Sequence, residues 1–242
     1  MSGRGTVRVL SPSAVHSSLE AIVSAYRGQG GGEVTLTFET APALAARLAG
    51  GEIADVVIAP PRVMDELAGT GKVHPAGRLQ LGRVGVGIVV RAGAPLPDIS
   101  STEALTCSLL TADAVIHTRA SSGIYVAQLL ERLGVAATIK AKTTTYHDAQ
   151  GAFTRLASGS GREIGFGGIT EIRRWSDRSL KLVGPLPPGI QNYTTYVAAS
   201  SAAAINPEGA RAFLAFLASA AAHSIFTAHG VDSVPRTGPG MT

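Results

Sequence analysis

The chain has 242 residues, enough to bury a real core as one domain or as two small lobes. It is 45% hydrophobic and 16% charged with a net charge of +4, which excludes a disordered chain and leaves no basic surface fit for nucleic acid. One cysteine, Cys107, excludes an internal disulfide or a Cys-rich metal site, and no apolar run approaches the ~18 residues of a membrane span.

Read in order, strands and helices alternate. Residues 7–10 form a buried strand, and the apolar spacing of Val15, Leu19, Ile22, Val23 and Tyr26 predicts a helix over 14–27. A strand at 33–38 precedes an amphipathic helix at 43–51 that glycines end. A buried strand at 54–59 is followed by a helix at 61–71 with Pro at its start. A long apolar strand covers 83–93, and a Ser/Thr-capped helix covers 101–112. The strand 114–118 leads into a strong helix, 122–134, closed by Gly134. Residues 138–145 read as extended, 147–159 as a helix, and 163–169 and 181–187 as strands. Residues 191–200 are again extended, and 207–230 form a terminal helical pair. Lys and Arg are scattered, and the densest cluster, Arg173-Arg174 beside Trp175, reads as a solvated helix end. The alternation argues an α/β chain with mostly parallel sheets.

Nucleotide motifs fail. The glycine-rich stretch 159–168 follows a helix and enters a strand, the reverse of a dinucleotide fingerprint. Residues 69–72, GTGK, lack the other elements of a phosphate-binding loop. No carboxylate cluster or H-E-x-x-H motif suggests a metal, and no cofactor is implied.

What recurs is a strand end carrying small or hydroxyl residues that open a helix. It occurs at Ser11-Pro12-Ser13, at Glu39-Thr40-Ala41-Pro42, at Arg119-Ala120-Ser121-Ser122-Gly123 and, with polar side chains, at Tyr146-His147-Asp148. Each hydroxyl alone reads as a helix cap. Four such helix N-termini, lying outside the strand ends of an open sheet, make one pocket for an anion.

The stretches VLSPSAVHSSLEAI, LTFETAPALAARLAGGEIADVVIAPPRVMDELAGTGKV and SSGIYVAQLLERLGV resemble molybdate-binding-type periplasmic solute-binding proteins. So do LKLVGPLPP, YTTYVAAS and NPEGARAFLAFLASAAAHSIFTAHG, and the likeness runs over residues 7–233. It implies a type II periplasmic-binding fold, with one lobe of residues 5–83 and 197–242, a second of 84–196, and a hinge that the strand 193–197 crosses. The family's oxyanion donors are a serine after the first strand, a serine-rich turn after the second, and a tyrosine near the fourth corner. Here those places hold Ala14 beside Ser13, Thr40-Ala41-Pro42, and Phe166-Gly167-Gly168. His16, Glu39, Arg119 and His147 stand around the same corners instead, which suits an organic acid. GIVVRAGAPLPDISSTEAL and GITEI further resemble a leaderless subgroup similar to aconitate isomerase.

That resemblance implies proton transfer within an unsaturated di- or tricarboxylate, which needs a base near a carbon-bound proton and donors for the carboxylates. His16, His117, His147 and Glu39 are the candidate bases, with His117 placed in a strand and Glu39 equally able to cap a helix. The candidate ligand-binding set is Ser11, Ser13, Ala14, Thr40, Ala41, Arg119, Ser121, Ser122, Gly123 and, on the hinge strand, Tyr193 or Tyr196. The alternative is the substrate-binding component of an ABC transporter, with a permease as partner and molybdate or another small anion as cargo. The N-terminus enters a strand with no hydrophobic leader, so the expectation is a cytoplasmic protein, or a periplasmic one whose signal has been removed.

Overall fold

The computed structural model describes residues 5–176 and 179–234. Val7–Pro12 (β1) is buried at every position except Arg8, because helices and neighbouring strands cover both of its faces. A short 3₁₀ turn, Ser13–Val15, joins it to His16–Gly28 (α1), whose Leu19, Ile22, Val23 and Tyr26 face inward at the expected spacing. Val34–Glu39 (β2) and Val56–Ala59 (β3) flank β1 in parallel, and Ala41–Ala49 (α2) and Pro61–Gly69 (α3) follow them.

Leu79–Arg91 (β4) then crosses to a second group of elements: Thr102–Thr111 (α4), Ala114–Thr118 (β5), Ser121–Arg132 (α5) and Ala136–Ile139 (α6). Gly134, at φ +69°, ends α5 in the left-handed region where other residues are strained. The stretch expected to be extended over 138–145 is divided between α6, a 3₁₀ turn and the short strand Thr143–Tyr146 (β6). Ala149–Ala157 (α7), Glu163–Gly168 (β7), Ile169–Trp175 (α8) and Leu180–Pro185 (β8) complete the group. The chain returns through Tyr193–Ser200 (β9) and ends in Pro207–Leu217 (α9) and Ala220–Ala228 (α10).

The strands form one strongly divided sheet in the order β2-β1-β3-β9-β4-β7-β5-β6, with β8 also on β4. The outer pairings are parallel, as the α/β alternation predicts. Every antiparallel pairing involves β4 or β9, the strands that pass between the two groups. Residues 79–85 of β4 pair with β9, whereas residues 86–91 lie between β7 and β8. The apolar interior divides the same way. One set of clusters joins β1–β3 to the terminal helices around Leu19, Ile58, Phe213 and Phe226. The other joins β5–β8 to α4–α8 around Ile88, Leu105, Phe153 and Phe166. Such side chains each contribute about 1.5–3 kcal/mol through burial, so each lobe has its own driving force for folding. Among the described residues no single helix is long and apolar enough to cross a membrane. The pair α9–α10 matches by composition, but it is bent by 65° and packs into the first core.

Candidate functional site

The carboxyl ends of β1, β2, β5, β6 and β7 face one another across the gap between the lobes. A cavity of about 210 Å³ opens there, and a narrower recess of about 20 Å³ continues from it. Ser13, Glu39, Thr40 and Glu171 line both, so the two form one cleft. This is where an open α/β sheet places its ligands.

The first lobe supplies the wall after β1 and β2. Ser13 opens the 3₁₀ turn and points its hydroxyl at the Glu171 carboxyl. His16 lies flat on Phe38, with ring centroids 3.8 Å apart and planes 12° off parallel, and its Nε2 is 3.1 Å from Glu20 Oε1. Burial, and then the charge of Arg174, lowers the pKa of His16, so its imidazole is neutral at pH 7. Thr40 caps α2, its Oγ1 accepting from Ala43 N at 3.4 Å, and that leaves Glu39 free of capping. Glu39 instead accepts from the Arg47 guanidinium at 2.8 Å. Ala14 and Ala41 line the narrow recess.

The second lobe supplies the opposite wall. Ser121 and Ser122 form the first turn of α5 and line the recess, and no side chain caps that helix. Gly123 explains how the helix start sits so tightly on β5, because a Cβ there would lie 1.9 Å from the Thr118 carbonyl oxygen. Asp148 caps α7 by accepting from Gly151 N at 2.8 Å and lines the cavity with Gln150.

The corner after β7 contributes what the sequence reading lacks. The segment 173–175, read as a solvated helix end, is the last turn of α8, and Arg174 and Trp175 line the cavity. Glu171 sits three residues after the N-cap Gly168 and accepts from its N–H, the reach-back half of a capping box. Burial is the main force on this carboxyl, and it pushes the pKa up to about 7 against the opposing pull of the Gly168 N–H, Arg174 and the Ser13 hydroxyl. Thr170 Oγ1 donates to the Ala14 carbonyl at 2.5 Å and ties α8 to the first lobe.

Several expected residues stand elsewhere. Arg119 is exposed and lines neither part of the cleft, although its backbone N–H bonds the Tyr146 carbonyl at 2.8 Å. His147 is exposed with Nδ1 3.5 Å from Asp148, and it also lies outside the lining. Ser11 is fully buried and donates to its neighbour's carbonyl at 3.2 Å. His117 is packed in the core between Thr118 O (3.2 Å) and Thr145 Oγ1 (3.4 Å), and burial lowers its pKa. The two hinge-strand tyrosines divide. Tyr196 is buried in the floor of the recess, its phenol held protonated by burial and then by Glu171. Tyr193 is 40% exposed and carries the Arg83 guanidinium 4.0 Å above its ring. Among the described residues no three His, Cys, Asp or Glu side chains group as a metal site would require.

A two-lobed α/β fold with a small polar cleft at its strand ends is the architecture of solute-binding proteins. The family model described as bacterial extracellular solute-binding protein matches residues 7–232, and the chain belongs to that family. An aconitate isomerase from Pseudomonas sp is 30% identical over 236 residues, covering 95% of this chain and 88% of that protein. Solved structures share the fold at low identity. The periplasmic molybdate-binding protein of Azotobacter vinelandii superposes with a TM-score of 0.78 at 17% identity, over 93% of this chain and 97% of its own. The sulfate-binding protein SubI of Mycobacterium tuberculosis H37Rv gives 0.72 at 17%, over 96% and 88%. These likenesses define a type II periplasmic-binding fold for the chain.

Proposed function

We propose that the cleft binds a small unsaturated organic acid with two or three carboxylates and isomerises it by moving a proton. The observation that carries this reading is Arg174, the one guanidinium among the described residues lining the cavity, with the uncapped N-terminus of α5 lining the adjoining recess. A planar guanidinium holds a carboxylate through two parallel N–H donors, and the first turn of α5 offers backbone N–H groups to another. The acidic side chains nearby do not cancel this attraction. Glu39 is paired with Arg47, Asp148 caps the start of α7, and Glu171, pushed up to about 7, carries only part of a negative charge near neutral pH. The aconitate isomerase relative supports the reaction, and its substrate class matches the acid-binding groups.

The test is direct. Incubating the protein with cis-aconitate and following the proton NMR spectrum should show trans-aconitate appearing, and calorimetry should show the acid binding more tightly than molybdate. Tight molybdate binding with no binding of either aconitate would overturn the reading. The structural likeness to a molybdate-binding and a sulfate-binding protein favours a second reading, delivery of a small anion to an ABC permease. Binding without turnover of any unsaturated acid is its signature. The matched family is described as extracellular. Fractionation of the native host, with the full reading frame intact, decides the compartment.

A further inference from the structure

We infer that Glu171 is the group that takes the proton from the substrate and returns it. This rests on the isomerase reading and names the residue that would perform its chemistry. Glu171 lines both the cavity and the recess, so a ligand spanning the two lies against its carboxyl. It is held from both sides, by the Gly168 N–H on its own helix and by the Ser13 hydroxyl from the opposite lobe. Arg174 follows three residues later and lines the same cavity. One helical turn therefore presents a base and a carboxylate clamp together, since i and i+3 share a face.

The other acid–base groups are committed or remote. His16 is stacked on Phe38 and bonded to Glu20, Glu39 is bonded to Arg47, and His147 lies outside the lining. The charged and titratable groups facing Glu171 are Arg174 on its own helix, Asp148 at the start of α7, Tyr196 on β9, and His16 and Glu39 across the cleft. Tyr196 is buried and protonated, so it adds no charge below Glu171.

The step balances with no redox partner. The Glu171 carboxylate forms an O–H bond as the C–H bond of a methylene beside the double bond breaks. The electron pair spreads over the three-carbon allyl unit and into the attached carboxylate, which faces Arg174. The carboxylic acid at Glu171 then delivers its proton to the far carbon of that unit, and the double bond has moved. One group on one face serves both halves, so part of the transferred hydrogen comes from the substrate rather than from water.

Glu171→Gln separates this role from a cap, because the amide keeps an acceptor for the Gly168 N–H and nearly the same volume. With cis-aconitate as the probe, Glu171→Gln should bind within about threefold of the parent. Its deuterium exchange and isomerisation should fall by about 10²–10⁴, the usual contribution of a general base. In the parent, kcat/KM should rise with pH, pass its midpoint near 7 and level off above it, as the carboxyl ionises. Glu171→Asp should keep a pH-dependent residual rate, and Ser13→Ala should move the midpoint upward by removing a donor to the carboxylate. Undiminished turnover in Glu171→Gln would overturn the assignment while leaving the isomerase reading intact. A parent protein that binds the acid and neither isomerises it nor exchanges its hydrogen would overturn both.

Discussion

The corner after β5 and the corner after β7 follow one plan, a strand end turning into a helix at the rim of the same cleft, yet they equip it differently. The β5 corner works through its backbone. Gly123 lets α5 begin almost in contact with Thr118, its first turn carries only Ser121 and Ser122, and its arginine, Arg119, turns outward. The β7 corner works through side chains, with Glu171 and Arg174 delivered by a helix of only seven residues. A tight backbone corner leaves no room for a long side chain to fold back over its own N–H groups. A corner whose helix runs along the cleft presents one face of every turn to it.

If the β7 corner holds the ligand's charge, Arg174→Ala should cause the largest change. Loss of about 2–5 kcal/mol of binding is expected, the range for removing one partner of a desolvated charge pair, and Arg174→Lys should recover only part of it. Calorimetry with the organic acid checks this, and unchanged affinity would return the clamp to the β5 corner.

Next comes the cost of holding Glu171 near neutrality. Below pH 4.5 the folded and unfolded chains both keep its proton. Between 4.5 and about 7 the unfolded chain ionises first and stability falls, and above that the loss levels off. The shift corresponds to at most about 3 kcal/mol, less what the half-open cleft screens. Glu171→Gln should therefore melt higher than the parent at pH 8 and no higher at pH 4. His16 acts with the opposite sign, because its lowered pKa costs stability as the pH falls below 6.5.

Gly123→Ala should cost about 1–3 kcal/mol of stability by overpacking the α5 start against backbone. It should weaken ligand binding as well, since the helix end must move. Arg119→Ala is the smallest change, within about 0.5 kcal/mol for an exposed side chain, with affinity unaltered. A fall in affinity there would mean that Arg119 reaches the ligand on lobe closure.

The order of strands and helices was legible in sequence because most elements are long enough to show their period. The run from Leu19 to Tyr26 repeats at helical spacing, and β1 and β3 are unbroken apolar stretches between turns. The first-lobe wall was legible too, since Ser13, Thr40 and Ala41 open helices directly after strands. Helix α8 was not. It is a single short run that follows β7 without a break, and its cap is Gly168, which carries no side chain to announce a start. Glu171 thus completed a capping box whose other half left no mark in sequence. Choosing between Arg119 and Arg174 required knowing which helix lies against the first lobe, and that depends on contacts such as Thr170 to Ala14, 156 positions apart.

The position of β9 bears on how the protein is made. It lies between β3 and β4, in the middle of the sheet, yet it is the last strand synthesised. At about 5–20 residues per second, a ribosome takes on the order of seconds to pass from β7 to β9. Strands β4 to β7 can pair among themselves in that time, whereas β3 must wait with an open edge until residues 193–200 arrive. Chains truncated before Tyr193 and released from the ribosome should therefore show a protease-resistant second lobe and a susceptible first one. The exposed β3 edge is the surface on which a chaperone would have most to shield.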